Sequence, residues 1–110
     1  MLVRVELGTE QRQQLMQRIL LRGKGAIVSR VIAGGAQPVR FAERMEPLDA
    51  RDSGWAFSSG AEPEGAESDP RSYTVVTLSR LVERFPALDA ILDAPVGARY
   101  RLDGETFVEE

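Results

Sequence analysis

Apolar positions recur along this chain with periods of about 2 and about 3.6 residues, the signatures of strands and helices. Val3, Val5 and Leu7 alternate with Arg4 and Glu6, which predicts a short half-buried strand or ordered extension ended by Gly8. Thr9 then fits an N-cap, with Glu10 favourably placed against the helix dipole. Leu15, Met16, Ile19 and Leu20 form one stripe on a helix of about three turns, and Gln11, Arg12, Gln13, Gln14, Gln17 and Arg18 cover the rest. Arg22 and Gly23 end this helix, whose stripe is expected to face the core.

The following run, Ala26 to Ala33, is rich in β-branched residues and closed by Gly34-Gly35, so it predicts a buried strand. Pro38 to Met45 predicts a second strand, with Val39, Phe41 and Met45 on one face and Arg40, Ala42 and Arg44 on the other. A hairpin across Gly34-Gly35-Ala36-Gln37 would join the two, and Pro47 ends the second. The centre of the chain is Asp52-Ser53-Gly54-Trp55-Ala56-Phe57-Ser58-Ser59-Gly60, which holds the only tryptophan. Trp55 and Phe57 project from one strand face, and Gly54 and Gly60 bracket them where the backbone must bend or be approached closely. Ala61 to Arg71, with Glu62, Glu64, Glu67 and Asp69 among Pro63, Gly65 and Pro70, predicts an exposed acidic loop without core residues.

Tyr73 to Leu78 leads into a helix capped by Thr77 and carrying Leu78, Leu81, Val82 and Phe85. Pro86 breaks it or starts a second helix with the stripe Leu88, Ile91 and Leu92, which Pro95 and Gly97 stop. Ala98 to Val108 folds back on Asp103-Gly104 as a hairpin. The elements together predict a single α+β domain, a mainly antiparallel sheet of about five strands with two or three helices packed on it. Trp55, Phe57, Leu81, Phe85, Leu88 and Leu92 are the expected core.

Composition narrows the chemistry. With no cysteine there is no disulfide and no thiolate metal site. The absence of histidine removes the commonest general base and metal ligand. The net charge of −3 is unevenly placed: residues 1–51 balance at +4 and residues 52–110 at −7. An acidic half disfavours nucleic acid and suits either a solvated surface that keeps the domain in solution or a basic protein partner. No apolar run approaches the roughly 20 residues of a membrane span, and Arg4 and Glu6 interrupt any leader-like stretch, so a cytoplasmic protein that binds no membrane is expected.

Candidate catalytic groups are few. Asp52-Ser53-Gly54 has the letters of a serine-protease nucleophile region, but no histidine exists to activate the serine, so local turn hydrogen bonds are the expected role. Asp89 and Asp93 share a helix face at i, i+4 and offer either a metal-binding or acid/base pair, or a solvated face. Arg40, Arg44, Arg99 and Arg101 alternate outward, either as a basic sheet face or paired with cross-strand acids. No cofactor motif is present: Gly23-Lys24-Gly25 lacks the spacing of a phosphate loop.

Three blocks in order carry a family resemblance: Ala26-Ile27-Val28-Ser29, the central string Asp52 to Glu62, and Phe85 to Ala98 with its Leu92-Asp93-Ala94-Pro95-Val96-Gly97. The sequence resembles the DUF2185 domain, also grouped as an Imm33-like immunity protein of bacterial polymorphic toxin systems. The resemblance divides the chain into a strand-and-helix extension over 1–25 and the domain over 26–110. Arg51 stands where the family commonly has glycine, and Ala61 where an acid is usual. It implies a non-enzymatic protein-binding role, neutralising a cognate toxin by binding it, with no cofactor. Asp52, Ser53, Gly54, Trp55, Phe57, Gly60, Asp93, Pro95 and Gly97 are then mainly structural motif residues, and Asp52, Glu62, Glu64, Glu67 and Asp69 are candidates for the partner surface. The alternative is a small regulatory or metal-dependent hydrolytic domain using surface carboxylates.

Overall fold

Trp55 and Phe57 sit on the central strand of a six-stranded mixed sheet, and both side chains are buried. The computed structural model describes residues 7–110, so the strand expected at Val3 and Val5 lies outside the described residues. The strands are β1 (Gly25–Ser29), β2 (Phe41–Arg44), β3 (Asp52–Ser58), β4 (Tyr73–Thr77), β5 (Arg99–Asp103) and β6 (Thr106–Glu109), in the order β4-β1-β3-β2-β5-β6. Every neighbouring pair is antiparallel except β1 and β3, which run parallel. This is an α+β domain with a mostly antiparallel sheet, as expected. The β5–β6 hairpin forms one position later than read, closing on Asp103 and Thr106.

Three expectations along the chain are corrected. The first concerns the run 26–33. Its strand ends at Ser29, and Arg30–Ala33 winds into a single turn, α2, with the Gly34 N–H donating to the Arg30 carbonyl at 2.8 Å. A continuous apolar run reads alike as buried strand or buried helix, and here Val28 serves the sheet and Ile32 the turn, both buried. The supposed hairpin partners are separated by β3, so β1 and β2 never pair.

The second concerns β2, which lies the other way up. Ala42 stands opposite Phe57 and Arg44 opposite Trp55, so these two face the core while Phe41 and Glu43 face out. The small Ala42 leaves room for Phe57. The Arg44 guanidinium is accommodated because it donates to the carbonyls of Ala94 (2.8 Å), Ser53 (3.3 Å) and Leu92 (3.4 Å) and lies 5.9 Å from the Trp55 ring.

The third concerns helix α1 (Thr9–Arg22). Gly8, not Thr9, occupies its cap, donating its N–H to Gln11 Oε1 at 2.8 Å. The expected core stripe faces solvent: Leu15, Met16, Ile19 and Leu20 are 50, 55, 55 and 61% exposed. Leu21 is the helix's buried residue. Arg18 and Arg22 reach Asp89, and Arg18 lies 3.5 Å from Asp93, so ion pairs hold the polar side of α1 to the body.

Helix α3 (Leu78–Arg84) and a 3-10 helix over Pro86–Ile91 cover one face of the sheet, burying Leu78, Leu81, Leu88, Ile91 and Leu92 against Val28, Trp55, Phe57 and Phe107. Phe85 is partly buried at the margin. Replacing Trp55 with alanine removes the largest side chain of this core and its indole hydrogen bond to the Leu92 carbonyl (3.3 Å). We expect Trp55→Ala to cost about 3–5 kcal/mol in urea denaturation, and the wild-type tryptophan emission to be blue-shifted and to move red on unfolding.

Candidate protein-binding face

The string Asp52-Ser53-Gly54 is a structural junction. Asp52 Oδ2 accepts from the Leu48 N–H and Oδ1 from the Gly54 N–H, both at 2.9 Å. Ser53 Oγ donates to the Gly25 carbonyl (2.7 Å) and accepts from the Trp55 N–H (3.1 Å), filling the irregularity where β1 meets β3. Gly54 has φ of 84°, and a Cβ there would lie 2.1 Å from the Met45 carbonyl oxygen, so only glycine fits. The Asp52 bonds and the Ser53–Trp55 bond are the local ones expected, whereas the Ser53–Gly25 bond ties two strands together. Gly97 donates its N–H to the Arg44 carbonyl (2.7 Å) and the Pro95 carbonyl accepts from Ala98, which brings β5 alongside β2. Asp93 pairs with Arg18.

The acidic segment is more ordered than expected. Ala66 is buried, and two 3-10 turns, Ala66–Ser68 and Pro70–Ser72, shape it. Its key residue is Glu62, which reaches back to the end of β3. Its carboxylate accepts from the Ser59 and Gly60 N–H groups at 3.0 Å, from Ser29 Oγ at 3.0 Å and from the Ser59 hydroxyl. Ser29 and Ser59 are themselves buried. Burial pushes the Glu62 carboxyl up, but the bonds from Ser59, Gly60 and Ser29 outweigh it and hold it below its ordinary value. Asp69 accepts from the Arg71 side chain and N–H, which likewise lower it. Glu64 and Glu67 remain exposed.

Among the described residues no α-helix joins the core from the sheet's second face. Register places Val75 and Tyr73 of β4, Ile27 of β1, Ala56 and Ser58 of β3, Phe41 and Glu43 of β2, and Arg99 and Arg101 of β5 on that face. Small residues at its centre and larger ones around them leave a depression of about 340 Å³ between Phe41, Ala56, Ser58 and Tyr73. Phe41 and Val75 are exposed apolar groups. Glu43 and Arg99 face each other at 3.6 Å, so of the arginines read as outward one pairs and Arg44 turns inward. Burial first, then the negative charges of Glu62 and Glu67, push the Tyr73 hydroxyl up, so it stays a neutral donor at neutral pH.

A family model described as the immunity protein Imm33 domain matches residues 26–109. The chain belongs to this family. No curated protein and no solved structure matches it. Helix α1 thus precedes the Imm33 domain, and both the one-sided sheet and the Glu62 anchor lie within it. The sequence strings that marked the family are the ones that build the β1–β3 junction and the turn into β5.

The open face of the Imm33 domain carries the exposed apolar Phe41 and Val75 beside the Glu43–Arg99 ion pair. Among the described residues no group of three or more acids could hold a metal ion, and Asp89 and Asp93 are engaged by arginines. No helix of the described residues is long and apolar enough to cross a membrane. Sequence reading missed Arg44, whose inward turn was signalled only by its alternation with Ala42. It also missed the open face, which depends on non-local strand order.

Glu62 yields a pH prediction. Its folded value is depressed, so its stabilisation is complete above the ordinary value of 4.5 and is lost as pH falls through the lower folded value. Glu62→Gln should cost about 1–2 kcal/mol at pH 7. The gap between variant and wild type should close on acidification below 4.5, read from paired denaturation curves.

Proposed function

We propose that this Imm33 domain is a non-catalytic binding module that neutralises a cognate toxin in the bacterial cytoplasm by seating it on the open sheet face. The observation that carries the reading is a six-stranded sheet, in an immunity-family domain, packed on one side only. A sheet face with exposed Phe41 and Val75 around a shallow centre offers a desolvatable core for an interface. Glu64 and Glu67, exposed on the segment that leads into β4, supply the negative rim and favour a partner with a basic surface. Glu62 and Asp69 support that rim from below, and Asp52 holds the turn that carries exposed Leu48.

The experiment is affinity capture of the stoichiometric partner, followed by co-expression with its toxic domain. Phe41→Glu with Ala56→Arg should leave the fold intact and weaken binding by roughly 100-fold or more, abolishing protection. Glu64→Lys with Glu67→Lys should mainly slow association and flatten its salt dependence. Undiminished affinity and protection in the first pair would remove the sheet face as the binding surface. A captured partner without toxicity would point to a regulatory role.

A further inference from the structure

The depression on the open sheet face has two aromatic walls and a floor of small side chains. Register sets Tyr73, Ser29, Ser58 and Phe41 in one row across four strands, with Ala56 and Glu43 in the next row. Tyr73 and Phe41 therefore stand three strand spacings apart, about 14 Å at the backbone. Ala56 and Ser58 lie between them and leave about 340 Å³ open. One wall is held in place by the chain itself. A Cβ at Gly60 would come within 2.9 Å of Phe41 Cε2, so the ring rests directly against the bare backbone there.

Carboxylates outnumber cations at this depression. Glu43 and Glu110 line it together with Arg99. The Glu43–Arg99 pair spans 3.6 Å and both side chains are exposed to water, so the Glu43 carboxylate retains free acceptor positions. Burial, and after it the charges of Glu62 and Glu67, push the Tyr73 hydroxyl up, so the field of those two acids reaches the second wall. Neighbouring arginines are turned elsewhere. Arg71 is held by Asp69, Arg30 donates to the Arg71 carbonyl, and Arg101 stands on the far side of Phe41.

We propose that this depression takes a single arginine side chain of the partner, its guanidinium lying over Ala56 and Ser58 between Phe41 and Tyr73 and bonded to the Glu43 carboxylate. A flat, weakly hydrated cation can stack on aromatic rings and fork onto a carboxylate at once. A lysine ammonium has no plane to stack, and an aliphatic anchor would leave the negative charge unmatched. The inference deepens the toxin-seating reading and rests on it for the protein that bears the arginine.

The test is a magnetic-resonance titration of the full, isotope-labelled chain with N-acetyl-arginine methylamide at constant ionic strength. The corresponding citrulline derivative, a neutral isostere, and the norleucine derivative serve as comparisons. One residue alone should bind with a dissociation constant on the order of 1–10 mM, with saturable shifts at the Ala56, Ser58 and Tyr73 amides. Citrulline should bind roughly 10-fold more weakly, and Glu43→Gln should weaken the arginine probe by roughly 3- to 10-fold while leaving the rest of the spectrum in place. Absence of a saturable shift, equal binding of citrulline or norleucine, an affinity unchanged in Glu43→Gln, or shifts confined to Glu64 and Glu67 would each overturn the proposal. The titration needs no toxin, so the two readings fail separately. A captured toxin that uses the sheet face while the probe does not bind removes the arginine site alone, and probe binding with a harmless partner removes the toxin alone.

Discussion

The Leu92 carbonyl is the point on which the two layers of this domain are joined. It accepts from the Trp55 indole at 3.3 Å and lies 3.4 Å from an Arg44 guanidinium nitrogen, while the Ala94 carbonyl takes the stronger Arg44 bond at 2.8 Å. The turn after the 3-10 helix is thus fastened to β3 and β2 together. Unpaired carbonyls at a helix end cost free energy when buried. Here they are matched by the two long side chains that face in from adjacent strands. Arg44 also lies beside the Trp55 ring, which stacks at 5.8 Å on Phe57, so one polar and two aromatic groups share a site.

That fastening explains why, among the described residues, the α-helices cover one side of the sheet. Trp55 and Phe57 both point to the helices, and the register of β2 follows from them, putting Ala42 and Arg44 inward and Phe41 outward. Once Phe41 is outward, the second face carries an aromatic group beside small Ala56 and Ser58, with the Glu43–Arg99 pair along one side. The same choice that builds the core therefore determines what is offered to a partner. Glu62 fixes the near edge by drawing the acidic segment onto Ser29, Ser59 and Gly60, and Glu64 and Glu67 stay free on top of it.

Much of the covered face was legible in the sequence, because it rests on local periodicity. Trp55 and Phe57 two apart, Leu81, and Leu88 with Leu92 all read correctly as core, while Phe85 lies only partly buried at its margin. The errors fall where a local pattern has two physical solutions. The run 26–33 supports strand or turn of helix, and the fold uses both. The face of β2 could be read either way, since an inward arginine is acceptable only when carbonyls from residues far along the chain, Leu92 and Ala94, are waiting for it. In the family strings, Asp52 closes a turn onto the Gly54 N–H and Gly97 donates to the Arg44 carbonyl, contacts whose strand partners local periodicity does not reveal. The open face was not legible, because it follows from β3 lying between β1 and β2.

Helix α1 shows the limit of the amphipathic argument most plainly. Periodicity says that one side of a helix is apolar, and burial is inferred because a monomer usually supplies the partner surface. In this chain the complementary surface on the body is polar: Asp89 and Asp93 meet Arg18 and Arg22, and only Leu21 reaches the core. Four partly exposed charges at a helix seam contribute little on their own, because water competes for each of them. What they determine is orientation, since turning α1 to bury Ile19 would carry Arg18, about 100° away around the helix, off both acids. The ion pairs and Leu21 thus select which side of α1 meets the body, and the apolar stripe is what that choice leaves exposed.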